Sequence, residues 1–340
     1  MSATVRIRHR DGLWIIGPDG APTVLDSAAG IDVLVLEVAG GHLTWSLLGG
    51  HFTPAAVIDD RTLAQDWIWA VFGAEVAIAL DEFSGGETEF TAAPALPELA
   101  ARAWRLGYAH WAARWWPAST LDGIAPLDAQ LLADEIAALS EECELIVDGA
   151  DARLVEEREI ADVATRAEDY ALAAGRATAA HGELVLARGT GGWNWRRCPP
   201  GLLDASERAV SWAVVREAGS TIVRVNAVAA PLSPTDMPPH LHPHAVIRTA
   251  TDAAELPLTR DGEVWNASTT APAGAESGVT VDIYVPGVGV DEPEPDAATR
   301  REQVRELVTA RLRRTADAPD NPVEAPLLAE IAAAASDSDF

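Results

Sequence analysis

Lysine is absent from this chain: all 25 basic residues are arginine, against 52 aspartates and glutamates, for a formal net charge of −27. A surface so acidic repels phosphate backbones and anionic headgroups, which disfavours general binding to nucleic acid or membrane and favours a soluble protein, or one whose partner has a basic surface. Together with heavy alanine use, the missing lysine fits a composition bias of the whole sequence better than an adaptation to one function. Cysteine is scarce. Cys143 and Cys198 lie 55 residues apart without CxxC spacing, which excludes a disulfide framework and a thiolate metal knuckle. Long apolar runs are also missing, since stretches such as Val33–Leu36 are strand-sized and far short of the roughly 20 residues that cross a bilayer. The N-terminal MSATVRIRHRDG lacks the apolar segment of a signal peptide. Cytoplasmic residence is the default expectation.

Enough remains to build cores. With 48% hydrophobic and 23% charged residues the chain reads as folded, and 340 residues at about 150 per domain suggest two domains. The densest feature is Glu98–Trp116, which holds four of the twelve tryptophans. Trp104, Tyr108, Trp111 and Trp115 recur at i, i+4, i+7 and i+11 and so form one stripe of a helix. Leu99, Ala103, Leu106 and Ala113 form a second stripe nearly opposite, as in a helix sandwiched between layers. Pro97 and Pro117 bracket the run.

Before this helix the chain alternates between apolar segments and turns. TVRIRH, LWIIG, TVLD, IDVLVLEV and Thr44–Leu48 read as strands of an antiparallel sheet. Asp59 or Asp60 supplies the cap of a short helix carrying Leu63, Trp67, Ile68 and Val71, and AEVAIALDEF reads as a further strand. After it, an Asp128-capped helix places Leu132, Ile136, Leu139, Cys143 and Ile146 on one buried stripe, which makes Cys143 core rather than nucleophile. A third helical run covers Asp151–Ala180. From Glu183 the pattern changes to six short strands, ELVLAR, AVSWAVV, TIVRVNAV, HAVIRTA, EVWNAST and VTVDIYV. An acidic proline-rich linker, Asp291–Asp296, leads into helix Ala297–Arg314 and a weaker helix, Pro326–Ala335.

These readings predict an α+β protein with a mixed antiparallel-sheet and helical part over residues 1–182. A β-rich, sandwich-like part over residues 183–290 follows, then linker, amphipathic helix and tail over residues 291–340.

Two motifs carry candidate chemistry. In PPHLHPHAV, His240, His242 and His244 sit two residues apart. If the chain is extended, three imidazoles share one face, a possible set of ligands for a divalent metal, with Asp236 or a distant acid completing it. The segment departs from the HxHxDH pattern of metallo-β-lactamases at Ala245 and Val246, and lacks the spaced glutamate of a cupin motif. In GTGGWNWRRCPPG, alternating Trp193 and Trp195 suit either core packing or an aromatic contact surface, with Arg196 and Arg197 beside them. Its glycines match neither GxxxxGK[ST] nor GxGxxG, and the chain contains no GxSxG elbow. No residue is thereby assigned a catalytic role. The leading expectation is a non-enzymatic cytoplasmic interaction or assembly module that uses Trp193, Trp195, Arg196 and Arg197, because tryptophan and arginine dominate binding hot spots. The alternative is a metal-dependent, hydrolase-like enzyme centred on His240, His242 and His244.

Overall fold

Asp11 and Gly12 both take positive φ, 54° and 83°, the conformation a two-residue hairpin needs, so β1 (Ala3–Arg10) returns directly as β2 (Leu13–Gly17). The computed structural model describes residues 3–26, 30–83, 85–86, 88–147, 184–234, 236–289, 296–314 and 325–337. β3 (Val33–Val38), β4 (Gly41–Ser46), β5 (Ala55–Ile58) and β6 (Thr88–Ala92) complete an antiparallel sheet ordered β3-β4-β5-β2-β1-β6. One expected strand is missing from it. Thr23–Asp26 forms a turn in which the Thr23 amide donates to Asp26 Oδ2 at 2.8 Å, the local side-chain bond by which aspartate competes with ladder pairing.

Asp60, one of the two candidate caps, accepts from the amides of Thr62 and Leu63 at 2.8 and 3.2 Å and starts α1 (Arg61–Phe72). AEVAIALDEF is a correction: its first eight residues form α2 (Ala74–Asp81), not a strand. Val76, Ala77 and Leu80 are the buried positions, a helical spacing, and the alanines, glutamate and leucine favour that geometry intrinsically.

The central helix α3 spans Pro97–Trp115. Its aromatic stripe is core: Trp104, Tyr108 and Trp111 are 6%, 0% and 3% exposed. Tyr108 stacks on both tryptophans, at centroid distances of 5.4 and 5.5 Å. The Trp111 indole donates to the Ile31 carbonyl at 2.7 Å. The opposite stripe is buried at Ala103 and Leu106, half-buried at Leu99, and ends at exposed Ala113. α4 (Ala129–Glu142) is capped by Asp128 as expected. Cys143 at its end is fully buried, and desolvation first, then Glu142, pushes its thiol up to about 12. The expected run Asp151–Ala180 and the linker up to Pro295 lie outside the described residues.

Two further helices, α5 (Ala297–Arg314) and α6 (Leu328–Asp337), end the chain. Glu330 of α6 is 0% exposed. It accepts from the Tyr108 hydroxyl at 2.7 Å, from Arg311 at 2.7 and 2.8 Å, and from the Leu327 amide at 2.7 Å. Arg311 also lies 4.3 Å from the Tyr108 ring centroid. Burial, and then the Glu330 charge, hold the Tyr108 phenol well above its ordinary pKa.

The chain divides into two compact units. One comprises the described residues up to Trp116, from Leu127 to Val147 and from Ala310 onward. The other comprises Pro117–Pro126 and the described residues from Leu184 to Thr309. The second unit is β-rich. β7 (Leu184–Gly191), β8 (Val210–Glu217), β9 (Ser220–Val228), β12 (Thr259–Asp261) and β13 (Val264–Thr270) make a sheet ordered β12-β13-β9-β8-β7. β10 (His244–Arg248), β11 (Ala253–Pro257) and β14 (Thr280–Tyr284) make a second, ordered β11-β10-β14. Each sheet buries alternate residues, Val223, Val225 and Ala227 in one and Ala245, Ile247 and Ile283 in the other, the burial pattern of a sandwich-like arrangement. Within this unit Asp204 is fully buried. It gathers Ser119 Oγ at 2.7 Å and the amides of Thr120 and Ser206 at 2.8 and 2.9 Å, which ties Pro117–Pro126 to the later strands.

Two changes test this packing. Trp111→Ala should cost about 3–5 kcal/mol, because lost transfer energy and a residual cavity add; an unchanged melting temperature would show that the ring is not core. Glu330→Ala, which leaves Arg311 buried without a counter-charge, should cost about 3–5 kcal/mol by chemical denaturation, and Glu330→Gln less. Equal loss in both variants would rule out the charge pairing as the cause.

Candidate functional site

The strand after Pro243 brings one motif histidine onto a polar face. In the β10 register His244 lies opposite both Tyr284 and Pro257, while Val246 lies opposite Glu255 and Asp282. Alternate residues share a face, so His244, Glu255, Asp282 and Tyr284 meet on one side of the three-stranded sheet. Tyr284 is half-buried. Its hydroxyl donates to Glu255 Oε1, which also lies 3.3 Å from His244 Nδ1. The His244 and Tyr284 ring centroids are 5.8 Å apart.

The second motif reaches the same ring. A 3₁₀ turn, Trp195–Arg197, is capped by the Asn194 side chain, which accepts from the Arg196 amide at 3.0 Å. The Val285 amide donates to the Arg197 carbonyl at 2.8 Å. Gly289, with φ 68°, passes so close that a Cβ would lie 2.1 Å from the Arg196 carbonyl oxygen, so only glycine fits there. Held in this way, Arg197 pairs with Asp282 at 2.6 Å and places its guanidinium 4.6 Å from the Tyr284 centroid. Ring, cation and carboxylates therefore converge from three separate stretches of sequence.

The electrostatics follow from these contacts. The Tyr284 hydrogen bond, then His244, hold Glu255 below the usual carboxylate range. Burial, then Glu255, push the Tyr284 phenol up to about 12, so at neutral pH it remains a donor. Glu255 stays an ionised acceptor with its side chain 54% exposed. Chemically the cluster is a preorganised ring edged by an accessible carboxylate.

The other candidates are dispersed. Trp193 and Trp195 are each 5% exposed, and Trp193 donates to the Asp204 carbonyl at 2.7 Å. They are core, the first of the two alternatives that their alternation offered, and so do not themselves form an aromatic contact surface. Burial removes them from any partner's reach. Arg196 is half-buried. The condition for one extended histidine face is not met. His240 is exposed on a 3₁₀ turn, Pro239–Leu241. His242 lies 3.1 Å from the Met237 carbonyl and edge-on to Trp265 at 5.3 Å, and His244 faces Glu255. The three imidazoles do not share one face, because the proline-rich segment turns at Pro239–Leu241 and the extended condition is not met. Among the described residues no group of three or more His, Cys, Asp or Glu is placed to hold a metal ion. Sequence reasoning passed over Glu255, Asp282 and Tyr284, whose only signal was their alternation within strands.

No protein-family model, curated protein or solved structure matches the chain.

If His242 serves packing, His242→Ala should lower the melting temperature by about 2–4 °C for each kcal/mol lost, while a chelator leaves the wild-type curve in place. A chelator-induced fall in the wild type would overturn that assignment.

Proposed function

We propose that this chain is a non-enzymatic, cytoplasmic interaction or assembly module whose contact surface centres on Tyr284. The observation that carries the reading is the half-buried Tyr284 ring, clamped by Arg197 and His244 and bonded to exposed Glu255. Tyrosine and arginine are the residues that most often anchor interfaces. A ring already held in place loses little rotamer freedom when a partner arrives. Arg197 of the anticipated tryptophan-arginine set takes part, whereas its tryptophans support the surface from within.

Charge supports the kind of partner. Glu255 presents an exposed carboxylate at the rim, and the net charge of −27 draws cationic surfaces by long-range attraction. A partner protein with an arginine- or lysine-rich patch is complementary to both. Among the described residues no helix is long and apolar enough to cross a membrane.

Capture from extract of the native host, with wild-type and Tyr284→Ala protein side by side, tests the reading. Tyr284→Ala should weaken the captured complex by about 2 kcal/mol or more, roughly thirtyfold, when both proteins are compared well below their melting temperatures. Equal recovery by both proteins, or no reproducible partner, would sink it.

A further inference from the structure

The five-stranded sheet has a second face, opposite buried Val223, Val225 and Trp265, and its central row is polar. Cross-strand pairing sets Thr190, Ser211, Asn226, Asn266 and Thr259 in one row across all five strands. An open depression of about 500 Å³ lies here, lined mainly by Arg224, Asn226, Asp261, Val264, Asn266 and Ser268.

Its charges are separated along the strand axis. Arg224 pairs with Ser268 at one end, Asn226 with Asn266 in the middle, and Val264 with Asp261 and Val228 at the other end. The end rows are four residues apart, about 13 Å at 3.3 Å per residue. Asp261 is exposed and has no ion pair among the described residues. Arg224 has Glu217 among its partners, both side chains being largely open, 40% and 51%, and an exposed pair of this kind is weak enough to be shared with an incoming anion. The half-buried Asn226 and Asn266 amides have no hydrogen-bond partner among the described residues. Each offers a coplanar donor and acceptor, the complement of a peptide unit.

We propose that this depression binds a short extended peptide with free termini. The peptide carboxylate lies at Arg224, its ammonium at Asp261, and its backbone groups on Asn226 and Asn266. The charge separation matches a zwitterion of about three or four residues. A nucleotide fits poorly, because Asp261 repels phosphate and Arg224 is the one cation among the described residues that line the depression. A sugar would find no aromatic ring in the lining on which to stack, Trp265 being turned to the opposite side. This site is on a different sheet from Tyr284 and does not rest on the contact surface proposed there.

Titration calorimetry on the full chain with tetra-alanine, its N-acetyl form, its C-terminal amide and the doubly capped peptide tests the proposal. The free peptide should bind at millimolar concentration or better, each cap weakening it about three- to fivefold, as expected for one exposed charge pair. Asp261→Asn should abolish the penalty of the N-acetyl group alone, and Arg224→Gln that of the amide alone. Doubly capped peptide binding as tightly as the free form, variants that weaken all four peptides equally, absence of binding, or preferential binding of maltotriose would each overturn it.

Discussion

The buried carboxylate of Glu330 is the interaction on which the helical layer around α3 depends. A charge with no exposure is tolerated only where donors surround it, and here Arg311, the Tyr108 hydroxyl and the Leu327 amide supply them. Tyr108 is in turn stacked between Trp104 and Trp111. The polar contact thus fixes an aromatic column, and through the Trp111 bond to Ile31 that column is tied to the approach to β3. Arg105 and Glu135 repeat the device nearby, with Glu135 also accepting from the Leu328 amide at 2.7 Å. Apolar contact draws these elements together; the directed bonds select one register among many of similar apolar area.

Asp204 has the corresponding role in the β-rich unit. It joins residues 85 and 84 positions away, at Ser119 and Thr120, and its own carbonyl receives the Trp193 indole. Burial raises its pKa while Ser119 and three amides draw it back. Glu207, three residues on, is balanced the other way. Burial pushes it up, yet hydrogen bonds and charge from Arg301 and then Arg305 hold it below the ordinary range. A carboxylate lowered in the folded state stabilises above its unfolded pKa, and that contribution is lost as the pH falls through the folded value. Arginine, the only cationic long side chain in this sequence, suits such sites because its planar fork meets a carboxylate with two bonds, as Arg301 does with Glu207 at 2.6 and 2.9 Å.

Where the sequence was legible, the signal was periodic or local. The α3 stripe, the caps at Asp60 and Asp128, the β1–β2 turn and the buried Cys143 all follow from spacing or from side chains acting within three residues of themselves. Ala74–Asp81 was misread because a short apolar run lacks the length to separate period 2 from period 3.6. The histidine face failed for a related reason, since the two-residue spacing of His240, His242 and His244 assigns a shared side only to an extended chain, and Pro239–Leu241 is a turn.

By itself, then, the sequence determined the α+β class, the aromatic core helix, the acidic charge and the helix starts, because each depends on neighbouring residues or on sums over composition. Tertiary structure decided between the two readings of Trp193 and Trp195 in favour of the interior, and it alone decided that Glu330 accepts from Tyr108 and that Arg197, His244 and Glu255 gather around Tyr284. Arg197 and Tyr284 are separated by many strands' worth of chain, and their 4.6 Å approach is set by hydrogen-bond register and turn geometry. No pattern of residue types records those long-range pairings, since side chains of the same kind in another register would point to the opposite face of the sheet.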